Sequence, residues 1–447
     1  MPSRPAGAPS TLNRDILRLA VPALGALIAE PLFLIVDSAL VGHLGTVPLA
    51  ALGIASAILQ TIVGLMVFLA YSTTPAVARR FGAGDATSAV SVGIDGLWLA
   101  LGLGAILALA GSLATPPLVS LFGATDEVAT DAMTYLHISM WGLPAMLIVF
   151  AATGLLRGMQ DTVTPLWIAA AGFGANAALN ALFIYGLGWG IAGSAVGTVL
   201  AQWGMVVAYV GVIGRLAQRH SAQVRPSARG VRGSARTGGW LFLRTVSLRI
   251  ALLTTVAVAT GLGTEELAGW QVAYTIFSAA AFALDALAIA AQALIGKSLG
   301  EEDHARVRKV LQRTSAWGLW FGILVGAGVA AASGVIGLLF TGDPELAAIV
   351  QPALLVLAVA QPLCGVVFVW DGVLIGAGDA RYLAIAGALN LVPFLPALAL
   401  VAIFHPGGAA GLAWLAAAFF GVYMLARAAT LGWRLRGQVW LGSTLNV

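Results

Sequence analysis

The sequence predicts an all-α membrane protein of twelve spanning helices arranged as two six-helix bundles, the second a parallel repeat of the first. Three observations lead there. Hydrophobic residues make up 60% of the 447 and charged residues only 9%, far from the balance of a soluble chain. Apolar stretches of the roughly 20 residues needed to cross a hydrocarbon core recur along nearly the whole chain. The second half also falls on the first with one constant shift, 218 residues, without a gap.

Twelve stretches qualify: 16–41, 50–78, 90–114, 131–156, 164–186 and 191–214 in the first half, then 240–262, 267–296, 314–340, 347–376, 382–404 and 409–433. The first follows Arg4, Arg14 and Arg18 and could pass for a cleavable signal. Its apolar run continues past Glu30 to Val41 with no soluble domain behind it, so a retained span is expected. Basic residues fall at every second turn: Arg79 and Arg80, Arg157, the run Arg215 to Arg236, Lys297 to Arg313, Arg381, then Arg434 and Arg436. The alternate loops, among them TDEVATD around Asp126, GTEEL around Glu265, TGDPE around Asp343 and FHPGG with His405, carry acids or no charge. The positive-inside rule then places both termini in the cytoplasm and the chain in the cell membrane. The formal net charge of +4 needs no nucleic acid to explain it.

The shift pairs landmarks that composition alone would not pair. Gly45 falls on Gly263, RRFGAGD ending at Asp85 on KSLGEED ending at Asp303, Pro144 on Pro362, Asp161 on Asp379 and Gly193 on Gly411. An even number of spans per half makes the halves run in the same sense, a plan found among secondary transporters. The expected organisation is a cytoplasmic tail 1–15, a first lobe 16–216, a basic linker 217–239, a second lobe 240–435 and a cytoplasmic tail 436–447. The stretch joining the lobes, 215–239, with six arginines, no acids and several Gly, Ser and Pro, reads as a flexible tether touching lipid headgroups. Cys364 is the only cysteine, so no disulfide forms within the chain, and the five histidines are too scattered for a metal site. No span carries a DDxxD-type acid cluster for intramembrane metal chemistry, so an enzyme is not expected.

Against this background EPLFLIVDSALVGHLG stands out. A carboxylate at mid-membrane costs about 2.5–3.5 kcal/mol on insertion scales, so Glu30 and Asp37 should face a partner or a watery cavity. Seven residues come within about 20° of two full turns, which aims both the same way, and Pro31 between them removes a backbone hydrogen bond. In the fifth span Asn176 and Asn180 lie one turn apart and could face Asp37. Thr198 in the sixth span earns no role from the residues alone, because threonine so often bonds back to its own helix. The second half has Arg249, Asp285 and Asp371 in its spans, and Arg249 is expected to pair with one of the aspartates. Asp95 should sit near interfacial water.

The stretches VDSALVGHLG, GLLRGMQDTVTP, ANAALN followed by YGLGWGIAGSAVGT, FALDALAIAAQALIGKSLG and DGVLIGAGD resemble the multidrug and toxic compound extrusion transporters, in particular their DNA-damage-inducible-F-like branch, over about residues 16 to 435. The resemblance implies a monomeric antiporter without a cofactor, exporting amphiphilic, often cationic organic compounds in exchange for protons or sodium by alternating access. It implicates Asp37 in cation coupling, with sodium a candidate there, and Asn176, Asn180 and Thr198 around it; Glu30 joins these candidates from its helical spacing to Asp37 alone. It marks Asp285 and Asp371 as polar features of the second lobe. The chain departs from the family where relatives often have an aspartate in place of Asn180 and a neutral polar residue in place of Glu30. A lipid-linked precursor flippase is the alternative, for which extra spans and a strongly cationic cavity would be expected.

Overall fold

The computed structural model describes residues 9–340, 344–404 and 407–442; Asp343, His405 and the outer parts of both expected tails lie outside the described residues. Among the described residues eleven helices are long and apolar enough to cross a membrane, and a bent pair, taken as one span, makes a twelfth. They fall into two compact units, residues 21–238 in one and 9–20 with 239–442 in the other.

The first unit is built on α1 (Pro9–Gly42), α2 (Thr46–Met66), α3 (Phe68–Gly82), α4 (Ala86–Ser120), α5 (Asp126–Met140), α6 (Leu143–Gly158), α7 (Val163–Ala181) and α8 (Gly190–Arg219). Helix α1 continues through Pro22 and Pro31. One expected span is bent here: 131–156 is the pair α5 and α6, at 47°, whereas 50–78 runs on through Val67, which keeps helical angles between α2 and α3. Helix α3 packs against α6 and α4, α7 against α8, and α2 against α5. Because these helices are equally apolar to lipid and to each other, their approach relies on small residues and on hydrogen bonds such as Thr74 Oγ1 to the Gly154 carbonyl, 3.1 Å.

The second unit uses α9 (Ala228–Leu262), α10 (Thr264–Gly300), α11 (His304–Phe340), α12 (Pro344–Gly376), α13 (Ala380–Phe404), α14 (Gly408–Ala416) and α15 (Met424–Arg436), with a π-helical segment, Ala417–Tyr423, joining the last two. Helices α11 and α12 meet where Gly318 faces Gly365, and a Cβ on Gly318 would stand 2.5 Å from the Gly365 carbonyl oxygen.

The repeat is written into the backbone. Gly45 and Gly263 cap the start of α2 and α10 with φ of 129° and 157°, a region open essentially to glycine. Asp85 and Asp303 each accept a backbone N–H three residues on, both at 2.8 Å, and so cap α4 and α11.

The linker departs from expectation. Helix α9 begins at Ala228, so only residues 220–227 lie between helices, and the second half of the expected flexible tether is helical. Arginine and alanine favour helix, and Ser227 caps its start by accepting the Gly230 N–H at 3.2 Å. The remaining loop is tied to one face of α4: Thr87 donates to the His220 carbonyl (2.7 Å), the Gln223 N–H to Ser91 Oγ (3.1 Å), the Ser227 N–H to Asp95 Oδ1 (2.7 Å) and Trp98 Nε1 to the Val224 carbonyl (3.0 Å). Asp95, expected near interfacial water, lies largely covered beneath that loop and lines a cavity there.

Candidate functional site

Four helices of the first unit converge on Asp37. Helix α1 supplies the carboxylate, α7 brings Asn176 and Asn180, α8 brings Ser194 and Thr198, and α5 brings Tyr135 and Ser139. On α7 and on α8 the two polar residues are four apart and therefore share a face. Asp37 is only 4% exposed, and its Oδ1 accepts from Asn180 Nδ2 at 2.6 Å and from Ser194 Oγ at 2.8 Å. Gly197 makes room for this arrangement, because a Cβ there would run into the Asn180 side chain. The Tyr135 ring lies beside Asp37 with its hydroxyl among those of Ser139, Ser194 and Thr198.

No lysine or arginine pairs with Asp37 among the described residues. Meanwhile Asn176 Oδ1 and Asn180 Oδ1 are buried and accept no hydrogen bond among the described residues. A buried anion surrounded by neutral oxygens that lack donors is a poor packing arrangement and a good receptor for a small hard cation. The donor set suits a proton on the carboxylate or a sodium ion among the oxygens. It does not resemble a transition-metal site, and no group of three His, Cys, Asp or Glu suited to one occurs among the described residues.

The structure brings Asp37, Asn176, Asn180 and Thr198 into one region and leaves Glu30 out of it. Glu30 is exposed and makes no hydrogen bond or ion pair among the described residues. Seven residues return a helix to the same face but also advance it about 10 Å, so the two acids point alike without sharing a site. Ser194 and Tyr135 were not anticipated. Ser194 could have been found as the residue one turn before Thr198; Tyr135 carries no signal beyond a hydroxyl in an apolar span.

In the second unit the expected ion pair forms with a different arginine. Arg244, not Arg249, grips Asp371: its Nε donates to Oδ1 at 3.2 Å and its terminal nitrogen bonds Oδ2. Arg427 Nη2 reaches the same Oδ2 at 3.5 Å, and its guanidinium lies 5.8 Å from the centre of the Phe368 ring. All three charged side chains are buried. Arg249 is partly exposed and has no ion-pair partner among the described residues. Five residues rotate a helix by about 140°, so Arg249 cannot share the face that Arg244 presents. Arg244 escaped attention because α9 was expected to start near residue 240, which would leave Arg244 at an interface; starting at Ala228, the helix carries it well inside. Asp285 lies partly buried midway along α10.

Two helical repeats, each with charge in its interior, define a polytopic secondary transporter. The family model MatE matches the chain twice, over residues 22–182 and 242–398, once in each half. The chain belongs to the multidrug and toxic compound extrusion family. It is 30% identical to Protein DETOXIFICATION 44, chloroplastic, of Arabidopsis thaliana, covering 95% of this chain and 82% of that one. It is also 30% identical to Multidrug resistance protein MdtK of Edwardsiella ictaluri, over 82% of each. DNA damage-inducible protein F of Escherichia coli K12 is 26% identical, over 97% of this chain and 95% of that one. A solved structure of the Vibrio cholerae MATE transporter VcmN in the bent form superposes with a TM-score of 0.86 at 23% identity, over 97% and 98% of the two chains, and so shares the fold. The chain is thus a secondary transporter of the multidrug efflux type. The flippase alternative, for which extra spans were expected, is not favoured.

Proposed function

We propose that the chain exports amphiphilic, often cationic organic compounds and that Asp37 is where the driving cation, a proton or a sodium ion, is taken up and released. The observation that carries this reading is the buried Asp37 carboxylate, held by Asn180 and Ser194, with no basic partner among the described residues and with donor-free oxygens beside it. In its ionised state the carboxylate draws α7 and α8 onto α1 through two charge-assisted hydrogen bonds. A proton on Asp37 removes the charge those bonds depend on. A sodium ion would instead recruit Asn176 Oδ1, Thr198 Oγ1 and, after rotation of its amide, Asn180 Oδ1. Either event changes the relative stability of two packings of α1, and that difference is what a cation gradient can drive. The distribution of basic loops supports a chain in the cell membrane with both termini in the cytoplasm, and we take it to work as a monomer.

The test is export in inside-out vesicles under an imposed proton or sodium gradient against a panel of organic cations. Asp37→Asn fixes a neutral side chain that cannot release a proton or attract sodium by charge. It should insert and fold while losing gradient-driven export, and full export by this variant would overturn the assignment.

A further inference from the structure

The loop between α8 and α9, together with the helix ends that flank it, holds more charge than topology needs. Arg215, Arg219, Arg225, Arg229, Arg232 and Arg236 are all exposed, and none of their guanidinium groups has an ion-pair partner among the described residues. They are presented from ordered backbone, because the loop is tied to α4 at Thr87, Ser91, Asp95 and Trp98. Between loop and helix lies a cavity of about 200 Å³, lined by Ser91, Asp95, Gln223, Arg225, Ser227 and Arg229. At about 30 Å³ per water this is room for roughly six waters, or for a phosphate with a short polyol.

We infer that this cavity binds the headgroup of an anionic phospholipid, with a phosphoglycerol as the fitting chemistry. Arg225 and Arg229 stand on the loop and on the first turn of α9, where their planar forks can clasp the non-bridging oxygens of a phosphodiester. Asp95 Oδ1 is occupied by the Ser227 N–H, and Arg80 nearby offsets its charge. Its second oxygen and the Ser91 and Ser227 hydroxyls give the cavity partners for headgroup hydroxyls. The depth is right for a lipid: Trp98, 43% exposed and bonded through Nε1 to the loop, is the amphipathic residue that favours the headgroup layer. The charge is right as well, since clustered arginines beside a span match the negative cytoplasmic leaflet.

The experiment is native mass spectrometry of the protein released from nanodiscs of phosphatidylglycerol and phosphatidylethanolamine in equal parts. Wild type should retain phosphatidylglycerol preferentially. Arg225→Gln with Arg229→Gln should lower that retention about tenfold or more, while Arg215→Gln with Arg219→Gln, outside the cavity, should lower it about threefold or less. Asp95→Ala separates a built site from diffuse charge. It removes a negative group, so plain electrostatics requires tighter retention, whereas loss of the tie that positions the loop requires weaker retention. Should Asp95→Ala fail to fold, the two arginine pairs still decide the matter. Equal loss in both pairs, tighter retention by Asp95→Ala, no preference for phosphatidylglycerol, or displacement of the lipid by inorganic phosphate would each overturn the inference.

Discussion

The two units share their turns and differ in their interiors. In the first, the span matching α12 is bent by 47° between α5 and α6, and the buried carboxylate is met only by neutral groups. In the second, α10 and α12 run unbroken, Asp371 is closed between two arginines, and Trp270, Phe277, Phe394, Phe419 and Phe420 fill the interior with packed rings. Duplicated scaffolds evidently keep the residues that set where helices start and stop, and are free to change what lies between. The first unit has the features of an element with two packings: a sharply bent span and an unneutralised buried charge. The second has those of a rigid body, because a bidentate ion pair and interlocked rings resist rearrangement.

The sharpest way to break this contrast is to neutralise one aspartate in each unit. Asp37→Asn should abolish gradient-driven export with little change in thermal unfolding, since Asn can still hydrogen-bond to its neighbours. Asp371→Asn should do the reverse. It strands two buried guanidinium groups, which costs about 3–5 kcal/mol, and should appear as a large drop in melting temperature of the purified protein. Matching phenotypes for the two variants would mean that the units are not specialised as described. A smaller effect is expected from Ser194→Ala, which removes one of the two donors to Asp37. Hydrogen bonds to charged groups contribute about 1.5–3 kcal/mol, so export in vesicles should fall about tenfold without being lost. The smallest is expected from Glu30→Gln: with no partner to lose, export measured between about pH 5.5 and 8.5 should match wild type, and a loss equal to that of Asp37→Asn would make the two acids one coupled site.

Most of the architecture was legible in the sequence because the bilayer allows so few solutions. A stretch of about 20 apolar residues must be a spanning helix, and each lies inside an observed helix or bent pair. The bend at Trp141 and Gly142 was not legible, since hydropathy reports burial in lipid and says nothing about continuity of backbone hydrogen bonds. The start of α9 was missed for the opposite reason. A segment of Arg, Gly and Ser is too polar to read as a span, yet it forms helix once Ser227 caps it and α4 holds it. That one error moved Arg244 to the membrane surface and passed its partner to Arg249. At the candidate site, Asp37 and Asn180 were visible because an acid and an amide inside a membrane need each other. Ser194 was not, because a serine can satisfy itself on its own helix.

The left-handed turns carry a consequence for engineering. At Gly84 and Glu302 (φ 81° and 57°), and again at Gln160 and Gly378 (φ 66° and 78°), one half has glycine where its counterpart 218 residues away forces a side chain into the same conformation. A left-handed residue with a Cβ costs about 1–2 kcal/mol, so each half holds the relaxed solution to a strain the other retains. The chain is in this sense its own two-sequence alignment. A more robust variant for solution work can be designed by copying Gly84 to position 302 and Gly378 to position 160, at turns remote from the Asp37 cluster in sequence.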